Sequence, residues 1–103
     1  IHEKAGAEEI AACAPWLAAE RRIIRPQVLV MLGATAASAL LGRRVTISHE
    51  RSRPISMEDG STGLVTVHPS YLLRLPDENA RTREYARFVA DLRLAATHLA
   101  PIP

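Results

Sequence analysis

Gln27-Val-Leu-Val-Met-Leu32 is an apolar, β-branched run in which polar and apolar positions do not alternate. A strand with one face in water alternates with a period of two, so this run reads as a strand covered on both faces. Upstream, Ala7–Ile24 reads as a helix, with Ile10, Cys13, Leu17 and Ile24 at helical spacing and Trp16 beside them. Glu8 and Glu9 stand in its first turn and Arg21, Arg22 and Arg25 near its end, as the helix dipole favours. Pro15 implies either a kink or a start at that point, and Pro26 ends the helix. Downstream, Gly33 turns the chain into a small-residue helix, Ala34–Leu41, closed by Gly42. Helix, strand, turn and helix in this order imply an α/β fold, a three-layer sandwich with a central parallel sheet.

The remaining elements are shorter, apart from the last. Val45–Ile47 and Pro54–Met57 are weak strand candidates around the polar stretch Ser48–Arg53, and Asp59-Gly60-Ser61 signals a turn. Leu64-Val-Thr-Val67 is a second buried strand, stopped by His68-Pro69. A short helix spans Ser70–Leu75, and Pro76 leads into a long amphipathic helix over Asp77–Leu99. Its apolar stripe is Tyr85, Phe88, Val89, Leu92, Ala95, Ala96 and Leu99. No repeat or linker divides the chain, so its 103 residues form one folding unit. It opens on Ile1-His2 rather than Met, and reads as part of a longer or processed chain without its first strands.

Composition narrows the function classes. With 48% hydrophobic and 23% charged residues, disorder, collagen and coiled coil are excluded. No apolar run reaches the roughly 18 residues of a membrane span, and no cationic leader precedes an apolar core. The lone Cys13 excludes an internal disulfide framework, so the cytoplasm is expected. Lys4 is the only lysine, leaving arginine for the other twelve of 13 basic residues. Arginine favours bidentate phosphate contacts, although a net charge of +2 merely permits a nucleic-acid partner.

Val67-His68-Pro69-Ser70 is the most informative motif. A buried strand running into a histidine, with Ser70 at a helix N-cap, places polar groups at the carboxyl edge of the sheet, where open α/β folds bind ligands. Ser70 and the amides after it suit a phosphate, and His68 suits an anion forming nearby. The alternative is a strand-ending histidine with an ordinary capping serine. Leu72 and Leu73 follow as wedges for an extruded base or as core residues, and Arg74 as a phosphate contact or a solvated side chain. Gly33-Ala34-Thr35-Ala36 lacks the spaced glycines of a nucleotide loop, so close helix–sheet packing explains its small residues better. Cys13 alone reads as a small buried hydrophobe, His2 as part of a frayed terminus, and His49 and His98 as surface residues.

The ordered combination is more specific than its parts. Ile10-Ala11-Ala12-Cys13-Ala14-Pro15-Trp16-Leu17, Arg25-Pro26 leading through Val28–Leu32 into Gly33-Ala34-Thr35-Ala36, and Val65-Thr66-Val67-His68-Pro69-Ser70-Tyr71-Leu72-Leu73-Arg74 together resemble the C-terminal half of the bacterial iron–sulfur uracil-DNA glycosylases. The resemblance covers essentially the whole chain. Ile1-His2, and the spacing from His2 to Cys13, resemble the UdgX-type branch, whose basic loop ends in Arg-Ile-His before a cluster cysteine. It implies His2 as the nucleophile that attacks the sugar C1′ and stays bonded to DNA. It also implies His68 as the group polarising uracil O2, and Ser70, with Tyr71, Leu72 and Arg74, as DNA contacts. Cys13 becomes one ligand of a 4Fe–4S cluster whose other three lie upstream. Uracil-containing DNA is then the partner, with no membrane and a monomeric protein.

Departures mark the limits of the match. The family's acidic first motif, its uracil-stacking aromatic, its edge-reading amide and three cluster cysteines are absent from these residues. Glu3-Lys4-Ala5 stands where the branch has a basic residue and a proline, and Ser52 interrupts a stretch where relatives commonly have Arg-Gly. Three functions stay open: a glycosylase that binds covalently through His2, a glycosylase that turns over with water, and a non-catalytic DNA-binding or structural module.

Overall fold

A computed structural model of the protein describes residues 15–16, 18–23 and 25–100. The two apolar runs form neighbouring parallel strands, β1 (Val28–Leu32) and β3 (Thr62–Thr66), in register from Val28 opposite Thr62 to Leu32 opposite Thr66. A two-residue strand, β2 (Ile55–Ser56), pairs antiparallel with Gly63 and Thr62 of β3. The sheet order is β1-β3-β2, so the parallel pair expected from sequence carries one antiparallel edge strand.

Helices cover both faces, giving the expected three layers. Before β1, residues 15–16 and 18–23 are helical (α1). After it come α2 (Ala34–Leu41) and the single turn α3 (Ile47–Glu50), and after β3 come α4 (Pro69–Arg74) and α5 (Glu78–Ala96). Adjacent residues of a strand point to opposite faces. Val65 therefore packs with Met31, Ala37 and Val45 on the α2 side, joined by Leu40, Leu41, Ile47 and Ile55. Thr66 points the other way, toward α5. Leu64, Val65 and Thr66 are all at most 1% exposed, as a strand covered on both faces requires.

Local chemistry sets the helix ends. Gly42 adopts the left-handed conformation that closes α2, donating its N–H to Ser38 O at 3.0 Å. Asp77 caps α5 by accepting from the N–H groups of Asn79 and Ala80. Gln27, just before β1, accepts through Oε1 from Ala100 N–H at 2.6 Å, so α5 runs back toward the start of that strand. Among the described residues no helix is long and apolar enough to cross a membrane.

Two expectations change. Val45–Ile47 is not a strand: Val45 donates its N–H to Ser38 Oγ and is buried, and the chain then turns helically at Ile47–Glu50. Local bonds from Glu50 N–H to Thr46 O and from Arg51 N–H to Ile47 O, with the Arg43–Glu50 ion pair, outweigh the β preference of Val45 and Ile47. The apolar stripe of α5 is also only partly covered. Ala95 is buried, but Tyr85, Leu92 and Leu99 are 61%, 39% and 55% exposed.

The cause is Asp91, which is 2% exposed and lies on the face turned to the sheet. Its Oδ2 accepts from Arg51 Nη2 at 2.8 Å, Arg51 Nε at 3.2 Å and Thr66 Oγ1 at 2.6 Å, and its Oδ1 accepts from Ser52 Oγ. Arg51, 6% exposed, also donates to Glu84. A buried carboxylate survives only with such partners. Satisfying it rotates α5 so that Glu84, Asp91 and Ala95 face inward while part of the apolar stripe turns outward. Burial pushes the Asp91 carboxyl up, but hydrogen bonds from Ser52, Thr66 and Arg51 and the Arg51 charge outweigh it and hold it below the ordinary value of 3.8.

Ser52 is held with φ +62°, a conformation that favours glycine. Its bond to Asp91 offsets that strain, which explains a serine where glycine is the usual solution.

Asp91→Ala is expected to cost about 3–5 kcal/mol in denaturant unfolding, because it leaves the buried Arg51 without its main partner, with only the 3.3 Å contact to Glu84 remaining. The Asp91 contribution is present above pH 4 or so and is lost as pH falls through its depressed folded value, so Asp91→Asn is expected to flatten the acid limb of stability. Ser52→Ala, which keeps the strain and loses the bond, is expected to be less stable than Ser52→Gly by about 1 kcal/mol.

Candidate active site

Leu32 and Thr66 end their strands side by side, so the turns after them share the carboxyl edge of the sheet. Beyond Thr66, Val67 is buried and His68 emerges into solvent. Pro69 occupies the first helical position of α4, where its missing N–H costs nothing, and it holds His68 extended at φ −73°, ψ 139°.

The helix cap is His68, not Ser70 as expected, because Pro69 starts the helix one residue earlier. His68 Nδ1 accepts from Ser70 N–H at 3.1 Å and lies 2.9 Å from Ser70 Oγ. A ring nitrogen that accepts a backbone N–H bears no proton, so in the neutral imidazole the proton sits on Nε2. The exposed ring thus offers a donor. Arg74 Nη2 donates to Ser70 Oγ at 3.4 Å, and the hydroxyl can in turn donate a hydrogen bond to Nδ1. Arg74, Ser70 and His68 form one chain of contacts along α4.

Gly33 closes the other side. Its N–H donates to Thr66 O at 2.8 Å and its φ is +93°. A Cβ there would lie 3.4 Å from His68 Cβ. Sequence alone explained this glycine by helix–sheet packing; the structure adds a positive φ, which favours glycine, at a turn lying against the histidine.

The exposed residues of α4 differ from expectation in one place. Tyr71 is 39% exposed, as a DNA contact requires. Leu72, expected to face DNA, is only 9% exposed, and Leu73 is 84% exposed. Helical geometry permits one of two adjacent leucines to face the core, and the burial of Leu72 leaves Leu73 as the wedge candidate. His49 and His98 lie on the surface, as expected. His2 and Cys13 lie outside the described residues.

An iron–sulfur cluster needs four thiolates or equivalent ligands. The chain has one cysteine, and among the described residues no three His, Cys, Asp or Glu side chains gather as a metal site. These residues do not fit a complete cluster site.

The uracil DNA glycosylase superfamily matches residues 2–93 of the chain. A Type-4 uracil-DNA glycosylase from Thermotoga maritima is 44% identical over 85 residues, which is 82% of this chain and 42% of that protein. The chain therefore spans less than half the length of that relative. The match covers most of the chain, which belongs to the uracil DNA glycosylase superfamily. Its α/β architecture is the fold that membership implies.

Gly33→Ala is expected to lower stability by roughly 1–2 kcal/mol through backbone strain, measured by denaturant unfolding. It is also expected to shift the His68 ring resonances by contact, whereas Gly60→Ala, at a φ of +87° with nothing within 4 Å, is expected to leave them in place.

Proposed function

We propose that this chain is the C-terminal portion of a single uracil-DNA glycosylase domain that flips uracil from DNA and cleaves its N-glycosidic bond. The observation that supports this most is the exposed His68 ring, whose Nδ1 is taken up by Ser70 N–H so that Nε2 presents the proton. When the bond between uracil N1 and sugar C1′ breaks, its electron pair leaves with uracil and charge develops on O2. A donor held at O2 lowers the barrier electrostatically. Ser70 and Arg74 would hold a flanking phosphate, Tyr71 would lie against the strand, and Leu73 would fill the gap left by the extruded base.

The covalent branch is the preferred outcome. In it the lone pair of a His2 ring nitrogen attacks C1′, forming an N–C1′ bond while uracil departs as the anion. Support comes from Ile1-His2 and its spacing to Cys13, which resemble the UdgX-type loop. Attack by water in place of His2 would release free DNA with an abasic site. Cys13 would supply one ligand of a 4Fe–4S cluster, the other three coming from outside these residues. The protein would work as a cytoplasmic monomer.

Uncovered apolar surface supports the reading as one portion of a domain. β1 lies at an edge of the sheet, and of its five apolar residues only Met31 is buried. Trp16 and Ile23 of α1 are 75% and 81% exposed, and the outer stripe of α5 is open. A further strand and helix would cover all three.

The test incubates the complete protein with a uracil-containing oligonucleotide and resolves the products on a denaturing gel. A shifted band that survives heat and detergent and is lost in His2→Ala is expected. His68→Ala is expected to slow uracil release by about 10²–10³-fold. Free DNA with an alkali-labile site would replace His2 by water as nucleophile. Intact DNA would leave the non-catalytic module.

A further inference from the structure

Thr66 is fully buried two residues before His68, and every polar group it has that could hold the strand end is engaged away from that histidine. Its Oγ1 donates to Asp91 Oδ2 at 2.6 Å, and its carbonyl accepts Gly33 N–H at 2.8 Å. Asp91 is in turn held by Arg51 and Ser52, and Arg51 by Glu84. Gly33 meanwhile lies against His68, close enough that a Cβ on it would touch the His68 Cβ. The last residue of β3 is thus tied to α5 through its side chain and to the β1–α2 turn through its backbone, and the same turn bounds the site histidine.

A buried ion pair is a poor device for stability alone, since apolar residues of similar volume often do as well. Its directional bonds give something packing does not: one position for the chain that carries them. We propose that Thr66, Asp91 and Arg51 are positioning residues for His68, fixing the end of β3 so that the Ser70 N–H meets Nδ1 and Nε2 keeps the proton. None of the three touches the substrate in this role. The inference rests on the reading of His68 given above, but its first readout does not depend on catalysis.

That readout is the ¹⁵N spectrum of the histidine ring in the complete protein, labelled at histidine, with the His68 signals assigned by their loss in His68→Asn. Distinct Nδ1 and Nε2 shifts report a single tautomer. Thr66→Val keeps the volume and removes the hydroxyl, and it is expected to draw the two shifts together as tautomers mix. Thr66→Ser, which keeps the hydroxyl, is expected to retain the native spectrum. Val45→Ala, destabilising in the core on the opposite face of the sheet, is expected to leave it unchanged. If Thr66→Val is too unstable to examine, Ser52→Ala removes one donor to Asp91 from an exposed position and is expected to cause a smaller change of the same kind.

With uracil-containing DNA, Thr66→Val is expected to lower the single-turnover rate of uracil release at saturating protein on the order of 10-fold, with the half-saturating concentration little changed, and Thr66→Ser to restore it. An unaltered His68 spectrum in Thr66→Val, or in Ser52→Ala where that variant stands in, would overturn the proposal. So would a change of equal size in Val45→Ala. A spectrum that responds as expected in a protein that leaves uracil DNA intact would uphold the positioning role and sink the glycosylase reading instead.

Discussion

One buried carboxylate organises this fold. Asp91 is surrounded by donors from Arg51, Ser52 and Thr66, which lie in a loop and in the central strand. A charge in that place is tolerated only if all of these arrive together, so the position of α5 on the sheet, the course of the chain after α3 and the end of β3 are decided jointly. The rotation of α5 follows from it, as does the left-handed conformation of Ser52. Hydrophobic burial supplies the bulk of the driving force through Met31, Leu64, Val65 and their neighbours. Burial is non-directional, however, and would allow α5 to sit with its apolar stripe centred on the sheet. The ion pair forbids that arrangement.

The candidate site is built from backbone as much as from side chains. His68 emerges where a fully buried strand ends, Pro69 fixes its backbone, and the first turn of α4 takes up one ring nitrogen. A histidine that caps its own helix loses a degree of freedom and keeps its outer nitrogen for a ligand. Gly33 contributes a turn with φ +93° that lies against His68, and Thr66 joins the two strand ends. The parallel pairing of β1 and β3 puts these parts together, because it brings both carboxyl ends to one edge.

The surfaces left open are consistent with the length comparison. The chain aligns with 42% of its Thermotoga maritima relative, and the apolar residues that remain uncovered lie on the outer strand, the first helix and one side of the last. A strand that is apolar on both faces but half-buried offers a face and an edge that a further strand and helix would cover, in keeping with the proposed reading.

Much of the architecture was legible in short stretches of sequence. The unalternating run at 28–32, the glycines at 33 and 42, the turn at 59–61 and Pro76 before the last helix each act through neighbours a few residues away, and each element they predict is present. The exposure of His68, Tyr71 and Arg74 around the start of α4 follows from the same local pattern, since the motif is contiguous. Three features were not legible: the turn at Ile47–Glu50, the choice of Leu73 over Leu72 as the exposed residue, and the network of Asp91. That network joins residues 25 to 40 apart in sequence. No local pattern distinguishes a carboxylate destined for a buried guanidinium from one facing water. Local sequence patterns therefore established most of the helices and strands, while the long-range pairing of Arg51, Thr66 and Asp91 decided how they are turned toward one another, because only a folded chain can bring those charges and donors out of water together.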